Sequence, residues 1–171
     1  MYNEKVLAIL TKALKDEYTS SLIYTKMGNA VRGLNSTELA SELLKHADEE
    51  FGHAKEIVDY LAKHGMDGDI VYDVDLDRIN EDLDTIEIIV RVTQDLEKDA
   101  IETYHTLLQL AKEKGDVETC KFAKHLMIAE MGHFDDLARF TQQTRGFMTG
   151  AAAIPVDSDW AEDRYSDMIR L

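Results

Sequence analysis

Two Glu-x-x-His segments, Glu50-Phe51-Gly52-His53 and Glu130-Met131-Gly132-His133, stand 80 residues apart in this chain of 171 residues. Each lies in a long stretch of helical periodicity, where the i, i+3 spacing puts both side chains on one face, one turn apart. One such segment is a weak signal in so glutamate-rich a chain. The flanks, however, repeat as well. Glu17 precedes Glu50 by 33 residues and Glu97 precedes Glu130 by 33, while Tyr24 follows Glu17 by 7 and Tyr104 follows Glu97 by 7. The pattern Glu-x6-Tyr…Glu-x-Gly-His therefore occurs twice and specifies a site of two-fold pseudo-symmetry.

The rest of the chain is consistent with helices. It holds one Pro and nine Gly, too little punctuation for anything but an almost all-helical fold. A first helix is expected from about Asn3 to Arg32, ending at Gly33, with a seam of Leu7, Leu10, Leu14, Glu17, Ser21, Tyr24, Gly28 and Val31. Asn35 opens a second helix, with Glu38 placed to help cap it, and Leu39, Leu43, His46, Glu50, His53, Ile57 and Tyr60 form its seam up to His64-Gly65. The short junction makes these two antiparallel neighbours. A third helix is expected from near Asn80 to Gly115, its N-terminal dipole favoured by Glu81, Asp82 and Asp84. Its seam is Ile86, Val90, Thr93, Glu97, Ala100, Tyr104, Leu107 and Ala111, and Ile88, Ile89 and Val92 widen its apolar face toward a crossover or a subunit interface. A fourth helix spans about Asp116 to Thr144, with Ala123, Leu126, Glu130, His133, Leu137 and Phe140 inward.

Residues 66–80 break this period. Ile70, Tyr72, Val74 and Leu76 alternate with Val71, Asp73, Asp75 and Asp77, which predicts an extended segment with one buried face. About 14 extended residues reach ~45 Å. That matches a helix of ~28 residues, roughly 42 Å long. The segment thus serves as a crossover that makes the third helix parallel to the second. The expected architecture is an all-α four-helix bundle over residues 1–145, followed by a tail, 146–171, in which Asp157–Ile169 has the makings of a short fifth helix.

All four helices place a polar residue of one kind near mid-length: Glu17, then Glu50 with His53, then Glu97, then Glu130 with His133. One Glu from each of two helices and Glu-x-x-His from each of the other two is the ligand inventory of dinuclear centres in helix bundles. Four carboxylates balance two divalent cations, and hard oxygen with some nitrogen favours iron or manganese, with zinc also able to bind. A carboxylate buried on a seam is costly unless paired or metal-bound. Tyr24 and Tyr104, as seam tyrosines, are more often simple core residues. The repeat adds a role next to the metals, in hydrogen bonding or in redox chemistry, above all for Tyr24. Glu49 adjoins Glu50 but has no counterpart in the second repeat, where Ala129 stands; it reads as a support beside the centre, as an inner-surface metal ligand in a cage, or as a solvated carboxylate. His46, His64, His105 and His125 are not expected to ligate.

Composition limits the function classes. A formal net charge of −15 opposes binding to nucleic acid and suits attraction of cations. The single cysteine, Cys120, cannot form an intrachain disulfide and fits a reducing cytoplasm. No apolar run approaches the ~20 residues of a membrane span. The N-terminus lacks the apolar core of a signal peptide.

Over roughly residues 1–145 the chain resembles the ferritin-like superfamily, bacterioferritins in particular, through Glu17, Tyr24, Glu50-x-x-His53, Glu97 and Glu130-x-x-His133. The resemblance implies a di-iron ferroxidase centre in each chain. There Glu50 and Glu130 bridge the metals, Glu17 and Glu97 are terminal ligands, and each histidine holds one iron. Fe2+ would be oxidised by O2 or peroxide and stored as mineral within a homo-oligomeric shell of about 24 (or 12) chains. Phe51 stands where the family places its haem-ligating Met, so haem is doubtful at that site; Met131 occupies the equivalent position of the other repeat. Ala100 and the lone cysteine depart from rubrerythrin, and the complete set of ligands within one chain departs from starvation-induced DNA-protection proteins. Two further readings remain: a small dinuclear iron or manganese oxidase, peroxidase or catalase without storage, and a purely structural bundle.

Overall fold

The computed structural model describes residues 2–31, 36–83 and 85–144. Its helices are α1 (Tyr2–Ala30), α2 (Ser36–Lys63), α3 (Leu76–Asn80), α4 (Ile86–Lys114) and α5 (Val117–Thr144), with a 3-10 turn at Asp67–Asp69. The four long helices are those the seams predict. No strand occurs among the described residues. Gly33, Leu34 and Asn35, which were expected to join the first two helices, lie outside the described residues. So do the side chain of Phe140 and the whole of the expected fifth helix.

α1 packs along α2 and α4 along α5, while α1 faces α4 and α2 faces α5. Directions follow from the side chains that meet. Tyr2, at the start of α1, donates to Asp116, which sits just before α5, so α1 and α5 run parallel. Lys63, at the end of α2, pairs with Glu118 at the start of α5, so these two are antiparallel. α4 and α5 are antiparallel across the tight turn at Gly115, and α4 therefore runs parallel to α2, as the crossover requires.

The termini are closed locally. Thr85 caps α4 by accepting the Ile88 N–H on its hydroxyl at 3.3 Å. Gly115 ends α4 with φ 68° and ψ 22°, a left-handed conformation that a residue with a Cβ enters at a cost. Asp116 then caps α5, accepting from the Thr119 N–H at 3.1 Å and the Thr119 hydroxyl at 2.6 Å.

The core is split in two. One apolar cluster fills the end of the bundle with Leu10 and Leu14 of α1, Ile57 and Leu61 of α2, Leu107 of α4 and Leu126 of α5. The other fills the opposite end with Ile23 and Met27 of α1, Leu39 and Leu43 of α2, and Leu83 and Ile89 beyond the crossover. Each such side chain, fully buried, contributes roughly 1.5–3 kcal/mol. Between the clusters lies a layer that is charged and equally buried.

The crossover departs from expectation in two ways. Its alternation does not bury one face: Ile70 and Val74 are half-buried, but Tyr72 and Leu76 are both 63% exposed. The reason is that the chain is not extended throughout, since Leu76–Asn80 turns into α3 under an Asp75 cap. The third long helix begins at Ile86 under its own Thr85 cap rather than near Asn80, where α3 ends. Glu81 and Asp82 precede it instead of charging its first turn. The crossover is tied to α1 by polar contacts: the Asp75 N–H donates to Thr19 Oγ1 at 2.9 Å, Lys15 pairs with Asp73 at 2.7 Å, and Lys26 donates to the carbonyl of Ile79 at 2.8 Å and to that of Glu81. Beneath it, Ile89 is buried, and Ile88 and Val92 pack with Ile79 against the same cluster, as the wide apolar face of that helix predicts.

Candidate metal centre

Glu17, Glu50, His53, Glu97, Glu130 and His133 are all buried, and the four long helices bring them into the layer between the apolar clusters. Their donor atoms fall into two overlapping groups, each with every donor within 4.8 Å of the others. The first group is Glu17, Glu50, His53 and Glu130; the second is Glu50, Glu97, Glu130 and His133. Glu50 and Glu130 belong to both. Glu17 with His53, and Glu97 with His133, each belong to one.

Both imidazoles turn Nδ1 toward the shared carboxylates. His53 Nδ1 lies 2.8 Å from Glu130 Oε1, 3.4 Å from Glu50 Oε2 and 3.6 Å from Glu17 Oε2. His133 Nδ1 lies 3.1 Å from Glu50 Oε1, 3.2 Å from Glu130 Oε2 and 3.6 Å from Glu97 Oε2. The two halves are close to two-fold counterparts, as the repeat requires.

Tyrosines hold the outer carboxylates from behind. Tyr24 of α1 donates to Glu97 Oε1 of α4, and Tyr104 of α4 donates to Glu17 Oε1 of α1. Both phenols are fully buried. Each outer carboxylate thus has one oxygen fixed by a tyrosine. Its other oxygen, Glu17 Oε2 or Glu97 Oε2, is buried without a hydrogen-bond partner, as are both oxygens of Glu130. Buried polar atoms are normally satisfied. Here five carboxylate oxygens or imidazole nitrogens of the six residues are not: the four oxygens just named and His53 Nδ1. Carboxylate oxygen with imidazole nitrogen suits first-row divalent cations, so the residues present fit two such ions.

Electrostatics show what the centre holds in their place. Burial, with the Glu50 charge, pushes the Glu17 carboxyl up to about 8 against the opposing pull of His53. Burial and Glu50 likewise hold Glu97 well above the usual carboxylate range. Glu130 goes the other way: burial and Glu17 push it up, but His133 and His53 outweigh them and hold it low. Burial alone would discharge the imidazoles, yet the close carboxylates, Glu130 first, raise both His53 and His133 above the ordinary value. Protons on two imidazoles and on Glu17 and Glu97 thus stand in for cation charge.

Two residues outside the expected set join this layer. His46 is fully buried, stacked on His133 at 4.5 Å between ring centroids and edge-on to Tyr24 at 5.4 Å. It also forms a potential donor group with Glu97 and His133. Glu49 Oε2 lies 3.2 Å from the outward nitrogen of His133. The available signal was positional: His46 is on the α2 seam, one turn before Glu50. The second repeat holds Leu126 and Ala129 at the equivalent positions. Phe51 faces away from the centre, half-exposed beside Tyr18 at 5.8 Å, and Met131 is buried in the apolar cluster.

The fold and this site can be set against known proteins. A family model described as the ferritin-like domain matches residues 7–147. Among solved structures, a dodecameric thioferritin, the bacterioferritin-related protein from Bacteroides fragilis, superposes with a TM-score of 0.71 at 22% identity, over 87% of this chain and 92% of that one. The bacterioferritin of Desulfovibrio desulfuricans, described with its diiron site in different catalytic states, gives 0.71 at 20% identity over 85% and 82%. A mycobacterial bacterioferritin gives 0.68 at 21% identity over 93% and 91%. No curated protein matches the sequence. Among the described residues, no helix is long and apolar enough to cross a membrane.

Proposed function

We propose, for a chain that belongs to the ferritin-like family, that the six-residue centre binds two Fe2+ ions and oxidises them on the way to storage as ferric mineral. The observation that carries this reading is the sharing of Glu50 and Glu130 by two donor groups, with unpartnered carboxylate oxygens turned into both. Glu50 and Glu130 would bridge the ions. Glu17 with His53 would complete one coordination sphere, and Glu97 with His133 the other.

The substrate supplies the electrons. Two Fe2+ give two electrons to O2, which takes two protons and leaves as H2O2, or to H2O2, which takes two protons and leaves as two waters. The protein supplies geometry and a dry cavity. Tyr24 and Tyr104 fix the outer carboxylates so that each presents its Oε2. The protons held on His53, His133, Glu17 and Glu97 leave as cations enter.

The homo-oligomeric shell and the mineral are tested together. The native mass of the purified protein, with iron measured on the same peak, separates the readings. A shell-sized particle that takes up iron well beyond two per chain supports storage. A monomer or dimer that stops at two moves the function to a small dinuclear oxidase or peroxidase. A protein that binds no Fe2+ anaerobically overturns the centre.

A further inference from the structure

The two halves of the centre share their carboxylates but not their surroundings. His133 turns Nδ1 toward Glu50, Glu97 and Glu130, which leaves Nε2 facing outward. There it meets Glu49 of α2, whose Oε2 lies 3.2 Å away. That oxygen is buried and makes no hydrogen bond, being in range of Nε2 but not aligned with it. A buried carboxylate oxygen without a partner is uncommon and calls for a reason. The other oxygen of the same carboxylate stays near the surface, 3.7 Å from the Lys45 ammonium. Glu49 thus keeps one oxygen outside and aims the other at the imidazole. The face of the His133 ring is held as well, by the ring of His46 stacked at 4.5 Å between centroids.

His53 has neither support. Its Nδ1 meets Glu17, Glu50 and Glu130, but no carboxylate among the described residues comes within ion-pair distance of its outward nitrogen. The repeat shows why. Eighty residues on from Glu49 stands Ala129, and eighty on from His46 stands Leu126. The places that would hold the outer side of His53 are filled by side chains with no hydrogen-bond acceptor.

An imidazole that binds a cation through one nitrogen carries its proton on the other. Where a carboxylate accepts that N–H, the ring is fixed in orientation and becomes the stronger ligand. We infer that Glu49 is a positioning residue for His133 and makes the Glu97–His133 side the tighter half of the centre, so that two divalent cations enter in a fixed order, the Glu17–His53 side last. This order rests on the dinuclear reading. Transfer of two electrons needs both ions, so oxidation waits on the His53 side, and the Fe2+ level at which it sets in follows the weaker half.

The test uses the full chain, titrated anaerobically with Co2+ under d–d absorption, with anomalous diffraction from crystals loaded at one Co2+ per chain. The expected result is two steps at least about tenfold apart in affinity, the first ion lying beside His133. Glu49→Ala should weaken the first step about 10–100-fold and leave the second in place. Ala129→Glu, at a position half-buried like that of Glu49, should supply the missing acceptor to His53 and tighten the second step alone. A merely structural role for Glu49 gives no such gain. Two ions at the six residues with equal affinities, a first ion beside His53, or a Glu49→Ala variant that weakens both steps alike overturns the order and leaves the dinuclear reading standing. Fewer than two Co2+ at the six residues overturns the dinuclear reading, and the order with it.

Discussion

Tyr24 hydrogen-bonds not to the glutamate of its own repeat but to Glu97 of the other, and Tyr104 returns the bond to Glu17. Replacing either phenol removes the donor to a fully buried carboxylate. Tyr24→Phe and Tyr104→Phe should each destabilise the metal-free protein by about 1–3 kcal/mol in chemical denaturation. The two losses should be similar, because the contacts are equivalent. A loss confined to Tyr24→Phe would show that the two halves are not equivalent.

Shared and unshared carboxylates should differ in stoichiometry. Removing Glu50 or Glu130 as Ala takes a ligand from both groups, whereas removing Glu17 or Glu97 takes a ligand from one. The first pair of variants should lose both ions of the centre in anaerobic Co2+ titration, and the second pair should lose one. Equal losses in all four variants would contradict the bridging assignment.

The metal-free protein should weaken as pH rises. Glu17, raised to about 8, binds its proton more tightly folded than unfolded, so its contribution is full below the ordinary carboxylate pKa and is lost up to about pH 8. Glu97 and the two histidines are raised as well and act in the same sense, while the lowered Glu130 acts oppositely only at acid pH. Between about pH 5 and 8 each retained glutamate proton costs about 1.4 kcal/mol of stability per pH unit, and the two histidine protons add to this only above about pH 6.5. Thermal midpoints should fall over that window without metal and stay flat with Co2+ bound. Loading at constant pH should release about four protons per pair of ions, measurable with an indicator dye.

Thr85 bears on the start of α4 alone. Thr85→Ala should cost about 0.5–2 kcal/mol, and Thr85→Asp should recover most of it, since a carboxylate caps as well and faces the positive end of the helix. An unchanged midpoint in Thr85→Ala would mean that the crossover, not the cap, fixes where α4 begins.

The four long helices and the six buried donors were legible because both obey one period. A carboxylate on an apolar seam, repeated in register, has few explanations other than a shared site. What broke the period was not legible. The alternation of Ile70, Tyr72, Val74 and Leu76 looked like a strand face, but Asp75 caps a short helix there and leaves Tyr72 and Leu76 in solvent. The next long helix starts afresh under its own Thr85 cap, at Ile86 rather than near Asn80. His46 lies on the α2 seam one turn before Glu50 and was not expected to ligate; its burial against His133 and Tyr24 depends on packing across helices, which spacing along one helix does not carry. Tyr104 was ranked below Tyr24, although the geometry makes them equals, because hydrogen bonds between repeats leave no trace in spacing along one helix.

The crossed tyrosines also bear on ancestry and design. Each half of the chain, a single long hairpin, carries two carboxylates, one imidazole and a phenol it cannot use on itself. Two copies of one such hairpin, related by rotation, would meet each other's needs in full. The present chain has the form of that pair joined end to end, with the crossover as the splice. Fusion also lifts the demand for sameness: once both copies share one gene, His46 and Glu49 can settle on one side of the centre while Leu126 and Ala129 stay on the other.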